Sequence, residues 1–255
     1  MEKKEMRNLL VKFLEVKERG WIESLRKGTT GIGYTFETLI GKKEETLPIA
    51  DFQGIEIKVK RRYSKGTITL FNAAPDNEVY ATKRIYEQYS IHNRNFNYYK
   101  TFMINVNSID MKKYGKHYFK LAIDNKNKLI RMNIYDEKKE LLENKVSWSY
   151  ELIKEKIKLK IANLAIIKAD IKKVKDKVYY KYYHIKFLEI KGFDEFIKLI
   201  DEGIITITFK ISVDLSMKKF GEMKNHGIGF DINEKNINKL YIEKDFEKKT
   251  TNSRF

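Results

Sequence analysis

Short segments with the pattern of β-strands recur along this chain and constrain its fold more than any other feature. They include GIEIKVK, TITLFN, TFMINVN, HYFKLAID and IITITFKISV, in which apolar and polar residues alternate or apolar residues form short runs. Between them, residues 3–17, 32–40 and 149–161 and the segment FDEFIKLIDEG carry apolar residues at helical spacing. This order of elements predicts a mixed fold of the α/β or α+β class.

The excess of basic residues limits what the chain is expected to bind. It has 52 Lys and Arg against 35 Asp and Glu, which gives a net charge of +17 and a pI near 9.6. Such an excess predicts a polyanionic partner such as a nucleic acid, because each cation placed on a phosphate releases condensed counterions. A Lys-rich, AT-biased genome would produce the same composition without such a partner.

The composition also predicts where the protein works. The absence of cysteine excludes disulfides and thiolate zinc sites and is typical of the reducing cytosol. The first residues, MEKKEMRNLLVKFLEV, are charged and amphipathic and lack the apolar core of a signal peptide. No run approaches the roughly 18 apolar residues that a membrane span needs. We therefore expect a cytoplasmic protein that does not bind membranes.

The strand GIEIKVK carries the residues with the clearest chemistry. Its alternation sends the isoleucines to the core and places Glu56 and Lys58 side by side on the polar face, which points away from that core. Asp51 lies on the segment that runs into this strand and can approach the same point. Two carboxylates and a backbone carbonyl supply half of an octahedral Mg²⁺ shell, and the lysine could orient or deprotonate an attacking water.

The Glu-x-Lys pattern alone has a simpler explanation. It also occurs at residues 15/17, 143/145, 189/191 and 222/224, and an outer strand face with alternating Glu and Lys is ordinary in sheets. None of these four pairs has an aspartate five residues before its glutamate. The surrounding residues therefore have to distinguish a nuclease site from a solvated strand face.

Those surrounding residues carry a family resemblance. The motifs GTTGIGYTFETLIG, PIADFQGIEIKVKRR and TITLFN resemble the MvaI/BcnI restriction endonucleases and, more distantly, the mismatch-repair nicking enzyme MutH. The resemblance is weaker through NKVSWSYELI and KVYYKYYHIKFLE and sharpens at EGIITITFKIS and KNHGIGFDIN. It implies a restriction-endonuclease-like core with MutH-like topology, in which helices flank a mixed central sheet and two lobes enclose a DNA cleft.

The resemblance also implies catalytic roles. Asp51 and Glu56 match the metal ligands, Lys58 the catalytic lysine and Glu37 the helix glutamate that supports the site. Glu37 could equally be a solvated helix residue. The metal implied is Mg²⁺, for which Mn²⁺ can substitute. The strand residues that could contact DNA phosphates are Lys60, Arg61 and Arg62, although Lys60 could be a solvated lysine and one of the two arginines a surface residue.

In the family that this chain resembles, two strands and a basic loop near the C-terminus enter the DNA grooves. The residues at the matching positions here are Thr208, Lys210, His226 and Asp231, and the loop adds Lys218 and Lys219. A lone histidine could instead be structural, and the loop lysines could contact phosphates or be solvated. Thr208 and Lys210 stand where the family has an aspartate and an arginine, and Asp231 stands where it has an arginine. Because arginine reads guanine and aspartate prefers a cytosine amino group, the family's CC-N-GG type of target does not carry over.

The expected organisation is a catalytic lobe in residues 1–165 and a DNA-recognition lobe in residues 166–255, with the two lobes intertwined and strands from both halves sharing the sheet. The resemblance implies a type II restriction endonuclease that hydrolyses phosphodiester bonds in a short specific sequence of double-stranded DNA. It would act as a monomer in a bacterial or archaeal cytoplasm, nicking each strand in turn. It would need no obligate protein partner and would pair functionally with a cognate DNA methyltransferase. Two alternatives stay open: a MutH-like repair nicking enzyme, and a non-catalytic basic nucleic-acid-binding protein.

Overall fold

The fold is that of a computed structural model, which describes residues 3–41, 50–64, 66–92 and 99–245. The helices in these ranges are α1 (Lys3–Glu18), α2 (Gly31–Leu39), α3 (Ala81–Tyr89), α4 (Tyr150–Lys156), α5 (Phe193–Asp201) and α6 (Ile237–Leu240). A π-helical turn, Ile157–Ile161, continues α4 and is called the π-turn below. No helix in the described part of the chain is long and apolar enough to cross a membrane.

The strands form three separate sheets. In chain order they are β1 (Ile22–Glu23), β2 (Glu56–Arg61), β3 (Thr67–Asn72), β4 (Ile91–His92), β5 (Lys100–Val106), β6 (Lys112–Tyr114), β7 (His117–Asp124), β8 (Leu129–Tyr135), β9 (Leu141–Ser149), β10 (Asn163–Val174), β11 (Lys177–Ile190), β12 (Ile205–Val213), β13 (Met223–Asn233) and β14 (Tyr241–Glu243). The sheet orders are β1-β11-β10-β2 with β14 also on β11, β3-β13-β12-β5-β4, and β6-β7-β8-β9.

The chain divides into two compact units. The first unit comprises the described residues of 1–66, 157–192 and 240–255, and it holds the β1-β11-β10-β2 sheet. This sheet is mixed, because β2 runs parallel to β10 while β10 and β11 are antiparallel. Helices α1 and α2 contribute Leu9, Phe13 and Phe36 to a buried core with Ile55 and Tyr182.

The second unit comprises residues 67–156 and 193–239 and holds the other two sheets, which are antiparallel. Its core is aromatic. Trp148 is fully buried, lies with its ring edge-on to Phe230 at 5.8 Å, and donates its indole N–H to the carbonyl of Ala73 at 3.1 Å. Gly203, with a φ of 68°, ends helix α5 in the left-handed conformation that glycine favours.

The fold class follows the expectation, and the differences are local. The predicted helices and strands are present in the described ranges, but the periodicity did not indicate α3, β9 or the short strands β1, β4, β6 and β14. The two units interleave in sequence. The expected boundary at residue 165 falls inside β10, in the first unit, rather than where the chain passes from one unit to the other. The physical reason is that β10 pairs with β2, and this pairing joins residues from both halves of the chain in one sheet. The roles of the two expected lobes stay a prediction.

Candidate active site and nucleic-acid interface

A tight turn explains the spacing between Asp51 and Glu56. Phe52 and Ile55 exchange backbone hydrogen bonds of 2.9 and 2.8 Å, and the two residues between them, Gln53 and Gly54, have φ values of 46° and 82°. Left-handed backbone at both central residues is typical of two-residue hairpin turns. Because residues 52 and 55 are paired, the next pair outward is Asp51 and Glu56. The chain therefore folds back, and the Asp51 carboxylate lies close enough for its charge to raise the pKa of Glu56.

Two backbone contacts hold Asp51 there. Its Oδ2 accepts a hydrogen bond of 2.8 Å from the amide of Ile57, the residue after Glu56. The amide of the preceding Ala50 donates to the carbonyl of Leu159, in the π-turn, at 3.1 Å. The segment before the strand is thus tied both to β2 and to the π-turn.

Glu56 is more buried than its place on the polar face of β2 predicted. The relative exposure of Glu56 is 2%, because this polar face of β2 is also covered by other residues. Its register partner on β10, Leu164, is buried. Tyr241 is also buried, and both its burial and the nearby charge of Glu56 raise the pKa of its hydroxyl. Glu56 is thus not part of the core that holds Ile55 and Ile57, but the strand face that it occupies is covered rather than open to solvent.

Two lysines approach the buried carboxylate of Glu56. Lys58 donates to Oε1 at 2.6 Å, and the Lys160 ammonium lies 3.7 Å from Oε2. Oε2 accepts no hydrogen bond. Burial raises the pKa of Glu56 above its ordinary value, the nearby Asp51 charge adds to the rise, and the two lysines oppose it.

The donor set fits a hard divalent cation. Asp51 and Glu56 supply oxygen ligands, which Mg²⁺ prefers, and Glu56 Oε2 is a buried carboxylate oxygen that lacks a hydrogen-bond donor. In the described ranges no group of three or more His, Cys, Asp or Glu residues could hold a metal ion. A cation at this place would therefore take only two protein carboxylates, and water and phosphate oxygens would complete its shell.

The structure places Glu37 on α2, beside Gly33. A Cβ atom at Gly33 would lie 3.5 Å from Glu37 Oε1. The Glu37 charge also helps to raise the pKa of the Tyr182 hydroxyl, which donates to the carbonyl of Ile32. These contacts put Glu37 in the core-facing part of the first unit, and its support of the catalytic residues stays a prediction.

The three basic residues at the end of β2 differ in their surroundings. Lys60 is half-buried and Arg61 is exposed. Arg62 forms an ion pair of 3.3 Å with Asp170, and its guanidinium lies 4.5 Å from the ring centroid of Tyr183. Arg62 is thus held by its own unit, whereas Arg61 is open to a partner.

In the second unit, the polar face of the β3-β13-β12-β5 sheet lines a cavity of about 740 Å³. Three sequence-predicted residues lie together there, namely Thr208, Lys210 and Asp231. Alternation along β12 sends Ile207 and Phe209 into the core and turns Thr208 and Lys210 to this cavity. The structure therefore gathers these three candidate base-reading residues into one place.

A hydrogen-bond network orders that face. The side-chain amide of Asn105 donates to the hydroxyls of Thr206 and Thr208, both at 2.7 Å. Thr208 in turn donates to Asp231 Oδ2 at 2.6 Å. Asp231 is 4% exposed, and its Oδ1 has no hydrogen-bond partner. Asp231 is thus a buried acceptor with one oxygen unused.

The remaining predicted DNA contacts are Lys218 and Lys219, on the loop between β12 and β13, and His226, on β13. Lys218 and Lys219 are exposed, and His226 shares a hydrogen bond of 2.9 Å with Ser212. Asp214 closes the loop, because it accepts from the Ser216 amide and its Oδ2 lies 3.4 Å from the Lys224 ammonium. The Ser216 amide and then Lys224 lower the pKa of Asp214.

Sequence reasoning missed Lys160, Asn105 and Thr206. All three reach their partners across large sequence separations, so no local spacing pointed to them. For Asn105 and Thr206, a usable signal was present: each is a polar residue at the outward position of a predicted strand, in TFMINVN and IITITFKISV.

Comparison with known proteins finds similarity to restriction endonucleases. A model of the MvaI/BcnI restriction endonuclease family matches residues 10–241. The solved complex of restriction endonuclease MvaI with its cognate DNA substrate is similar, with a TM-score of 0.87, 28% identity, and coverage of 96% of this chain and 98% of that chain. MvaI in the absence of DNA has the same identity and coverage and a TM-score of 0.61. No curated protein sequence matches.

Proposed function

The chain belongs to the MvaI/BcnI restriction endonuclease family, and from this membership we propose that it is a Mg²⁺-dependent type II enzyme. It hydrolyses phosphodiester bonds within a short specific sequence of double-stranded DNA, acting as a monomer that nicks each strand in turn. The MvaI complex holds cognate DNA, which supports duplex DNA as the substrate. A cognate DNA methyltransferase would protect the host genome, and both would work in the cytoplasm.

One observation carries this proposal. Lys58 lies 2.6 Å from the buried carboxylate of Glu56, and the turn at Gln53 and Gly54 brings Asp51 opposite the same residue. A lysine beside two neighbouring carboxylates supplies ligands for a divalent ion and a cation for the scissile phosphate. Lys60 and Arg61 extend from the same strand and would contact the DNA backbone.

In the mechanism, Asp51 and Glu56 would hold the cation. When bound, Mg²⁺ would polarise the scissile phosphate and supply a water of lowered pKa. Lys58 orients the attacking water, takes its proton or offsets the negative charge that develops on the phosphate. Burial of Glu56 strengthens these electrostatic interactions, because the surrounding medium screens them less than water does.

We further propose that the polar face around Asp231 reads base edges. Asp231 and Thr208 stand where the family has an arginine and an aspartate. This face therefore presents the hydrogen-bond acceptor Asp231 at the position where the family's arginine would donate to guanine. Lys218 and Lys219 on the loop between β12 and β13 would contact phosphates, and His226 on β13 would contact a base. The recognised sequence therefore differs from the family's CC-N-GG type of site.

Digestion of mixed genomic DNA tests the proposal. Purified protein with Mg²⁺ should cut at one short sequence, with 5′-phosphate and 3′-hydroxyl ends, and a chelator should stop cleavage. Sequencing the ends gives the site and the cut position. Cleavage of phage DNA by the protein alone separates a restriction enzyme from a nicking enzyme that needs activating partners. Binding without cleavage under every metal condition would leave only the non-catalytic alternative.

A further inference from the structure

We propose that Lys160 is a positioning residue that competes with the divalent cation for Glu56. This inference rests on the proposed function of the same site. The Lys160 ammonium lies 3.7 Å from Glu56 Oε2, the buried oxygen that accepts no hydrogen bond. It thus approaches the side of the carboxylate that Lys58 leaves free, since Lys58 takes Oε1 at 2.6 Å.

The backbone that carries Lys160 is unusual. Residues 157–161 form a π-helical turn between α4 and β10, and such turns are rare in proteins and frequent at functional sites. The carbonyl of Leu159 in this turn accepts the amide of Ala50, next to Asp51. One short turn therefore contacts the segments of both candidate metal ligands, through its backbone on one side and through the Lys160 side chain on the other.

Electrostatics then assigns a direction to the effect. Glu56 is 2% exposed, so its negative charge has little water to stabilise it and depends on neighbouring cations. Lys160 supplies a positive charge while no divalent ion is bound. A divalent ion bound at Oε2 would have to displace that ammonium, and the positive charge of the lysine would repel the ion. Lys160 therefore weakens metal binding and keeps the DNA-free site from holding the cation tightly.

The test measures Mn²⁺ binding to the full-length, DNA-free protein at mildly alkaline pH, by the electron paramagnetic resonance signal of free Mn²⁺. Lys160→Met keeps the aliphatic stem and removes the charge, and it should bind Mn²⁺ about tenfold more tightly, the order expected for removing one charge near a divalent ion in a partly hydrated site. Lys160→Arg keeps the charge and should bind as the wild type does. Lys158→Met, an exposed lysine of the same π-turn, is the matched control and should change nothing.

The outcomes separate the possible roles. If Lys160 were purely structural, replacing it would lower the unfolding temperature and leave the Mn²⁺ affinity unchanged. Mn²⁺ binding by Lys160→Met that equals or is weaker than that of the wild type overturns the inference. Circular dichroism checks folding, and Lys160→Gln takes its place if the methionine variant does not fold. If the wild type binds Mn²⁺ but the variants bind it equally, only this inference fails. If the wild type binds none, the proposed metal site fails with it.

Discussion

Lys58 and Glu56 form a short ion pair within a single strand. The ammonium lies 2.6 Å from Oε1, and the lysine side chain is 26% exposed while that of the glutamate is 2% exposed. Residues two apart on a strand share a face, so the pair forms without any distant element. Its charged end reaches solvent only through Lys58, which is the geometry that a group acting on an incoming phosphate requires.

Replacing Lys58 by alanine should abolish cleavage and leave DNA binding intact. Loss of a group that transfers a proton or offsets developing charge typically costs about 10²–10⁴-fold in rate. Initial rates on a plasmid, together with a gel-shift assay in Ca²⁺, measure the two effects separately. Lys60→Ala, two positions along the same face, is the control and should weaken binding slightly while cleavage continues. Wild-type cleavage by Lys58→Ala would contradict the proposed mechanism.

The stability of the protein should respond to pH through Glu56. Burial raises its pKa, so the folded state favours the protonated form. This contribution is complete below the unfolded-state pKa, close to 4.5, and is lost as the pH rises through the folded-state value. Glu56→Gln cannot ionise, so its unfolding temperature relative to the wild type should increase from acidic to mildly alkaline buffer.

Thermal unfolding of both proteins in the presence of a chelator measures this trend. The exposed Glu155→Gln is the control and should show a constant difference from the wild type across the same buffers. A difference for Glu56→Gln that stays constant, or that shrinks with rising pH, would contradict the raised pKa. The same variant should lose cleavage, because an amide is a poor ligand for Mg²⁺.

Asp231→Asn should change the recognised sequence rather than the catalytic step. The Thr208 hydroxyl accepts from Asn105 and donates to residue 231, so an asparagine there would turn its oxygen to Thr208 and its amide nitrogen toward the base. An acceptor would become a donor, and discrimination at one base pair should change by about tenfold or more.

Sequencing of cleavage products from a randomised duplex library detects such a change. Thr208→Val should alter the same position, because it removes the hydroxyl that orients Asp231. Thr206→Val removes only a contact to Asn105 and is the matched control. If the preference of Asp231→Asn equals that of the wild type, this face does not read bases.

Trp148 should contribute most to the stability of the second unit. It is fully buried against Phe209 and Phe230, and it donates to the carbonyl of Ala73. Trp148→Ala should cost about 3–5 kcal/mol in the free energy of unfolding, because it leaves a cavity. Trp148→Phe should cost less, since a ring remains and chiefly the hydrogen bond is lost. Urea unfolding measures both, and equal costs would indicate that the indole hydrogen bond, which both variants lose, outweighs the packing of the ring.

Much of the fold and site was predictable from local patterns. The strand period of two identified β2 and β12, and it placed Glu56 beside Lys58 and Thr208 beside Lys210. Spacing within a strand fixes which side chains share a face, whatever the rest of the chain does. The family motifs also lie within short segments. For these reasons the candidate catalytic residues and the polar strand face follow from local sequence alone.

The sequence by itself thus predicted most of the strand and helix pattern and the family, and it identified Asp51, Glu56 and Lys58 as candidate catalytic residues. Only the tertiary structure decided that Glu56 is buried, that Lys160 approaches it, and that Asn105 and Thr208 orient Asp231. The physical reason is that periodicity depends on neighbours along the chain, whereas burial and long-range contacts depend on which elements pack together. That choice is made by the whole set of strand pairings and cannot be read from a single segment.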